Sequence, residues 1–264
     1  HMKKPITLLI LASLALPATA ATYSNNFDAY ADGTTDLGDG SVITGAAASV
    51  QGGRLQLTID NQGLGFSSYS IPALANSSAG WTASWDYEMF DSVGGNVPAD
   101  GFSFNYGDFA LGTQGGAEEG MAGHTANNIS FEVDTWMNFD AEQGVNISGV
   151  VGGADIGNAL GAFNNGPILN DGQLVSGTMT ASYDAVAGTV SFVTTGLETN
   201  ADFVGIDLGG NTGNDAWNFA FSARVGGANS DIIIDNLVIT TVPEPSGLAL
   251  LGLGAFGFFL RRRR

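Results

Sequence analysis

Apolar and polar residues alternate one for one through stretch after stretch of this 264-residue chain, and glycine stops each stretch before it grows long. Arg54-Leu55-Gln56-Leu57-Thr58-Ile59, Thr82 to Met89, Thr178 to Tyr183, Thr189 to Val193, Asn218 to Ala223 and Ile232 to Ile239 all show the pattern. A period of two puts every second side chain on one face, as in a strand with one side on a core. No stretch of the body has the three-to-four spacing of an amphipathic helix. The 39 glycines, with Asn and Asp, supply turns between the pieces. Tyr183-Asp184-Ala185-Val186-Ala187-Gly188-Thr189 reads as a hairpin loop. No fixed period repeats, which excludes a solenoid or propeller. The pattern predicts an all-β antiparallel sandwich. Gly149 to Gly177 is poor in alternation and reads as a long loop region with room for short strands.

Both ends carry addresses. His1, ahead of Met2, reads as a cloning remnant. Lys3 and Lys4 precede apolar Ile6 to Leu16 and the small residues Ala18-Thr19-Ala20, so residues 1–21 read as a secretory signal peptide. At the other end come Val242-Pro243-Glu244-Pro245, an apolar run from Ser246 to Leu260, and Arg261 to Arg264. This tail, 242–264, resembles the PEP-CTERM sorting signal of Gram-negative bacteria. The resemblance implies recognition by an exosortase and cleavage near Pro-Glu-Pro. A helix of about 15 apolar residues reaches roughly 22 Å, less than a bilayer core of ~30 Å, so membrane contact is expected only before processing. A simple C-terminal anchor is the alternative reading. Residues 22–241 remain as one all-β domain.

Charge narrows the partners. Six of the eight basic residues sit in the two end segments, leaving Arg54 and Arg224 in the body against 25 of the 26 acids. Nothing could neutralise phosphates, so nucleic acid is excluded as a partner. There is no cysteine, hence no disulfide and no thiol chemistry.

The segment Ile129-Ser130-Phe131-Glu132-Val133-Asp134-Thr135-Trp136-Met137-Asn138 concentrates the chemistry. Alternation puts Glu132 and Asp134 on one face of a strand, where like charges repel. A bound cation would remove that cost. Asn138, Asp140 and Glu142 add oxygen donors, and oxygen-rich sets suit hard cations such as calcium. A solvated acidic loop without a metal is the competing reading of these acids. An EF-hand is excluded, because Gln143 stands where that loop needs glycine.

The motifs, in order, resemble the legume-type lectins and their wider concanavalin A-like jelly-roll group. Pro98-Ala99-Asp100-Gly101-Phe102-Ser103-Phe104 resembles their Ala-Asp-Gly strand. Gly115-Gly116 resembles a glycine pair of a second binding loop, and Phe131 to Asn138 their metal-binding strand. Thr180 to Asp184 and Phe219-Ala220-Phe221-Ser222-Ala223-Arg224-Val225-Gly226 resemble later segments. The resemblance implies a jelly-roll sandwich and a cis peptide at Ala99-Asp100. It also implies sugar contacts from Asp100, Gly116, Trp136 and Asn138. It implies a calcium site using Asp134, Asn138 and the Trp136 carbonyl, and a second divalent metal such as Mn2+ at Glu132 and Asp134. Asp140 or Glu142 would replace a family Asp whose position is Gln143 here. Asn146 falls near the family's metal-binding His, which weakens the manganese site.

The same jelly roll hosts laminarinase-like glycoside hydrolases, so fold leaves catalysis open. Those enzymes carry two strand glutamates, and retaining hydrolysis needs a carboxyl pair about 5 Å apart. Here Met137 stands where the second glutamate belongs. The expectation is a non-catalytic, calcium-dependent glycan- or exopolysaccharide-binding protein, exported to the cell surface or extracellular matrix. A matrix scaffold without sugar affinity and an atypical glycosidase are the alternatives.

Overall fold

The computed structural model describes residues 19–45, 47–60, 63–91, 98–115, 127–136, 143–151, 154–155 and 163–243. Ala20–Val242 forms one compact unit. No helix occurs among the described residues. The strands run β1 (Thr22–Asn25), β2 (Val42–Gly45), β3 (Ser49–Gln51), β4 (Arg54–Thr58), β5 (Gly65–Ile71), β6 (Gly80–Phe90), β7 (Gly101–Gly107) and β8 (Asn128–Asp134). They continue as β9 (Gly144–Val151), β10 (Ala154–Asp155), β11 (Phe163–Asn165), β12 (Leu174–Asp184), β13 (Thr189–Thr194), β14 (Asp202–Asp207), β15 (Asn218–Val225) and β16 (Asp231–Thr241).

These strands make two antiparallel sheets. The first has the order β14-β13-β12-β6-β16-β4-β3, with β1 on β16. The second has the order β10-β9-β8-β7-β15-β5-β2, with β11 on β9. The chain crosses repeatedly between the sheets, as from β4 to β5 to β6 to β7, and the result is the jelly-roll sandwich expected from the alternation. The expected hairpin closes between β12 and β13, where Asp184 pairs with Thr189. Asp184 Oδ1 accepts from the N–H groups of Val186 and Ala187, at 2.9 and 3.0 Å, which fixes the turn.

Apolar faces of the two sheets meet in an aromatic core. Trp81 of β6 stands edge-on to Phe104, Tyr106, Phe131 and Phe219 of the second sheet, with ring centroids 5.3 to 5.9 Å apart. Trp85, four residues on and on the same face, meets Phe104 at 4.9 Å and Phe221 at 5.1 Å. Edge-on contacts place a positive ring edge on a negative face, adding about 0.5–1.5 kcal/mol per pair beyond burial.

The outer face of the second sheet is different. Cross-strand register lines up Ser68, Ser222, Ser103, Glu132 and Asn146 in one row. Ser70, Ala220, Asn105, Ser130 and Ser148 form the next. All of these are buried. Ser130 Oγ donates to Asn105 Oδ1 at 2.7 Å, and Asn105 Nδ2 to Ser103 Oγ at 2.9 Å. A segment after β7 lies over part of this face: the Gly112 N–H donates to Ser70 Oγ, and Phe109 packs on Ala220.

The stretch from Gly149 to Gly177, read as a loop region with room for short strands, contributes the end of β9, the short β10 and β11, and the start of β12. The strands β5, β9 and β14 are also additions to the sequence reading. In β5 the inward Ser67 breaks the alternation. In β14 no residue is buried, so no apolar period forms.

Candidate functional site

The start of β7 and the end of β8 lie side by side, with Gly101 opposite Asp134 and Ser103 opposite Glu132. Directly paired residues share a face. Glu132 and Asp134 therefore both stand on the outer face, as their alternation predicts.

Asp100 is fastened to this corner by its main chain. Its N–H donates to the Arg224 carbonyl at 3.1 Å, and its carbonyl accepts from Thr135 and Trp136 at 3.0 and 3.2 Å. The Trp136 N–H also donates to Asp134 Oδ1 at 2.8 Å, so one amide ties Asp100 to Asp134. The peptide bond Ala99-Asp100 is cis, as the family resemblance implies. The Ala99 carbonyl accepts from Ser230 Oγ at 3.1 Å. Asp100 itself is buried, 6 % exposed.

Two glycines make the approach possible. Gly101 has φ of +145°, and a Cβ there would sit 2.3 Å from the Val133 carbonyl oxygen. At Gly226 a Cβ would lie 3.3 Å from Asp100 Oδ2. Beside that carboxylate stands Arg224, its Nε 3.2 Å from Oδ2. The two atoms form a charge pair whose alignment falls outside hydrogen-bond geometry.

Of the sequence-predicted residues, the fold brings together Asp100, Glu132, Asp134 and Trp136. Gly116, Asn138, Asp140 and Glu142 lie outside the described residues. Among the described residues no group of three or more His, Cys, Asp or Glu side chains is placed to hold a metal.

Asp134 and the Trp136 carbonyl offer oxygen, which fits a hard cation such as calcium. Around Glu132 the fit to a transition metal fails. Asn146 Nδ2 donates to Glu132 Oε2 at 3.0 Å, and Ser148 Oγ donates to Glu132 Oε1. Both carboxylate oxygens thus meet neutral donors, and an amide nitrogen that points its hydrogens at Glu132 offers no lone pair to a metal. The repulsion noted from sequence is relieved on this side without a cation.

Gln143 is a residue whose part sequence reasoning missed. Its Nε2 donates to the Thr135 and Leu169 carbonyls at 2.6 and 3.2 Å, while Oε1 accepts from the Ile168 N–H at 2.7 Å. An amide donates and accepts at once, whereas an ionised aspartate only accepts and could not make these bonds. Gln143 is a strut holding the end of β8 rather than a metal ligand. A wedge remote from this corner, about 810 Å³, is lined by Tyr23, Tyr30, Asp39 and Asn236. Its Tyr23 hydroxyl is already bonded to Asp39 and Tyr69.

Comparison with known proteins separates tail from body. Residues 241–264 match the PEP-CTERM protein-sorting motif, which marks the chain for export with a membrane-held C-terminus before processing. No curated protein sequence is similar to this chain. The body resembles peanut lectin, at TM-score 0.61 and 19 % identity, over 87 % of this chain and 100 % of that one. It also resembles the Ca2+/Man3GlcNAc-bound exoplasmic/lumenal domain of VIP36, at TM-score 0.58 and 13 % identity, over 76 % and 86 %. Metal-free lectin I-B4 from Griffonia simplicifolia matches at TM-score 0.54 and 18 % identity, over 85 % and 100 %. The body has the legume-type lectin fold, and the PEP-CTERM motif is confined to the tail.

Proposed function

We propose that the chain is an exported, calcium-dependent carbohydrate-binding protein without catalytic activity, working at the cell surface or in the exopolysaccharide matrix of a Gram-negative bacterium. In this reading residues 1–21 are a signal peptide, 22–241 the binding domain, and 242–264 the segment processed by an exosortase. The observation that carries it is the fastening of Asp100 to the end of β8 through Thr135 and Trp136. An acceptor carboxylate, an aromatic ring and an oxygen-rich strand end then share one corner. Asp100 would accept sugar hydroxyls, and charge-assisted bonds of this kind are stronger than neutral ones. Trp136 would offer its ring face, with Asn138 and Gly116 completing the contacts. Calcium would be held by Asp134, Asn138 and the Trp136 carbonyl, with Asp140 or Glu142 as a further carboxylate. It would supply fixed loop geometry rather than bond-making chemistry.

Against a hydrolytic role stands Glu132. It is 5 % exposed, and both of its oxygens are hydrogen-bonded. A carboxylate so engaged is poorly placed to attack a sugar. The test is a glycan array probed with the full chain in calcium and again in chelator. Binding in calcium alone is expected; no binding under either condition would overturn the reading.

A further inference from the structure

Arg224 is one of only two basic residues between the end segments. Arg54, the other, lies on the first sheet and is spent on Glu88 at 3.0 Å. Arg224 stands in the second sheet, in the row Phe66, Arg224, Gly101, Asp134. Gly101 puts no side chain between Arg224 and Asp134 in that row.

Two contacts hold the guanidinium. Its Nε faces Asp100 Oδ2 at 3.2 Å, and its Cζ lies 5.6 Å from the centroid of the Phe66 ring. These contacts engage Nε and the flat face, and no hydrogen bond from the two terminal nitrogens occurs among the described residues. The side chain is 26 % exposed. Guanidinium donors lie in a plane as a fork, so one edge can face one carboxylate while the other takes a second. Asp100 occupies the first edge, and the terminal edge is free for a ligand.

We propose that Arg224 is a ligand-contacting specificity residue, and that the site selects acidic glycans through a uronate carboxylate set on the terminal guanidinium edge. The proposal rests on the carbohydrate-binding reading above and names the sugar class of the same site. A neutral hydroxyl would take one of those donors; a carboxylate takes two at once, with charge assistance. The acidic body does not prevent this, since charges beyond about 8 Å are largely screened at physiological salt. The guanidinium is the only positive side chain of the second sheet among the described residues.

The experiment uses the full chain in calcium and three short acidic oligosaccharide sets: hyaluronan, alginate and polygalacturonate. Each is paired with its carboxyl-reduced counterpart, which keeps the ring and gains a neutral hydroxyl. In at least one pair the acidic form is expected to bind about tenfold tighter or more, the worth of one charge-assisted pair. Arg224→Gln removes the preference, and Arg224→Lys keeps only part of it, since charge survives and the fork does not. Because Arg224→Gln also removes the positive charge beside Asp100, the unmutated chain is titrated with salt as well. Affinity for the acidic form falls as salt rises while affinity for the reduced form stays level. Equal affinity within every pair, binding of neutral glycans alone, or an unchanged preference in Arg224→Gln overturns the proposal and leaves the carbohydrate reading standing. No binding to these sets or to any glycan overturns both.

Discussion

Gln143 donates through Nε2 to the carbonyl of Thr135, the residue after β8, at 2.6 Å. The bond fixes the residue between Asp134 and Trp136. Gln143→Ala would leave the Thr135 and Leu169 carbonyls and the Ile168 N–H short of a partner. Each buried orphan costs about 1–3 kcal/mol, so a total loss of at least roughly 3 kcal/mol is expected in urea unfolding. Gln143→Glu should be nearly as costly, since it keeps the acceptor and loses the donor.

The metal preference can be read directly. The unmutated chain should show no cobalt absorption in the visible range, because Glu132 is occupied by Asn146 and Ser148. Asn146→His restores an imidazole where the amide now stands, and should bring cobalt binding with it. A cobalt spectrum in the unmutated chain would refute the account of Glu132.

Calcium should stabilise the fold by mass action. At a hundredfold excess over the dissociation constant the gain is about 2.7 kcal/mol, read as a shift of the urea midpoint between calcium and chelator. Asp134→Asn should abolish the shift. Magnesium should not reproduce it, as it needs near-octahedral geometry and sheds water reluctantly.

On the first sheet Asp235 faces Asp86 across β16 and β6. Burial above all, with the charges of Asp28 and Asp86, outweighs the Asn236 N–H and Arg54 and raises the Asp235 carboxyl above its ordinary value. A raised acid favours its neutral form in the fold. Its stabilising contribution is complete below the unfolded value, about 3.9, and is lost as pH rises through the native one. Asp235→Asn should therefore stabilise at neutral pH, by roughly 0.2–0.8 kcal/mol given its exposure, and the gain should vanish near pH ~3. Urea unfolding at the two pH values decides it.

Gly101→Ala should be far worse than Gly188→Ala, although both glycines have positive φ. A Cβ at Gly188 meets nothing within 4 Å, so only backbone strain of about 1 kcal/mol is expected. At Gly101 the same atom meets the Val133 carbonyl oxygen at 2.3 Å and must push β7 from β8. The measurable outcome is loss of folded yield or a midpoint shift several times larger.

Strands with one clean apolar face were legible in the sequence: β4, β6, β12, β13, β15 and β16 all fall where alternation put them. So was the shared face of Glu132 and Asp134. What was illegible lies between segments. Nothing near Arg224 announces Asp100, because their pairing is made by β15 meeting the entry to β7. Gln143 looks like a damaged metal ligand in sequence and becomes a strut only when residues 168 and 169 arrive beside it. The serines of β5 and β15 carry no period by type, yet they form a buried polar face once the strands pair.

That polar face has a calorimetric meaning. Exposing apolar surface raises heat capacity and exposing polar surface lowers it. The two sides of the second sheet should thus answer heating in opposite senses, the aromatic side steeply and the Ser/Asn side weakly. An opening confined to the segment over Ser70 and Ala220 would leave almost no heat-capacity trace, and would be visible to amide exchange well before any melting scan recorded it.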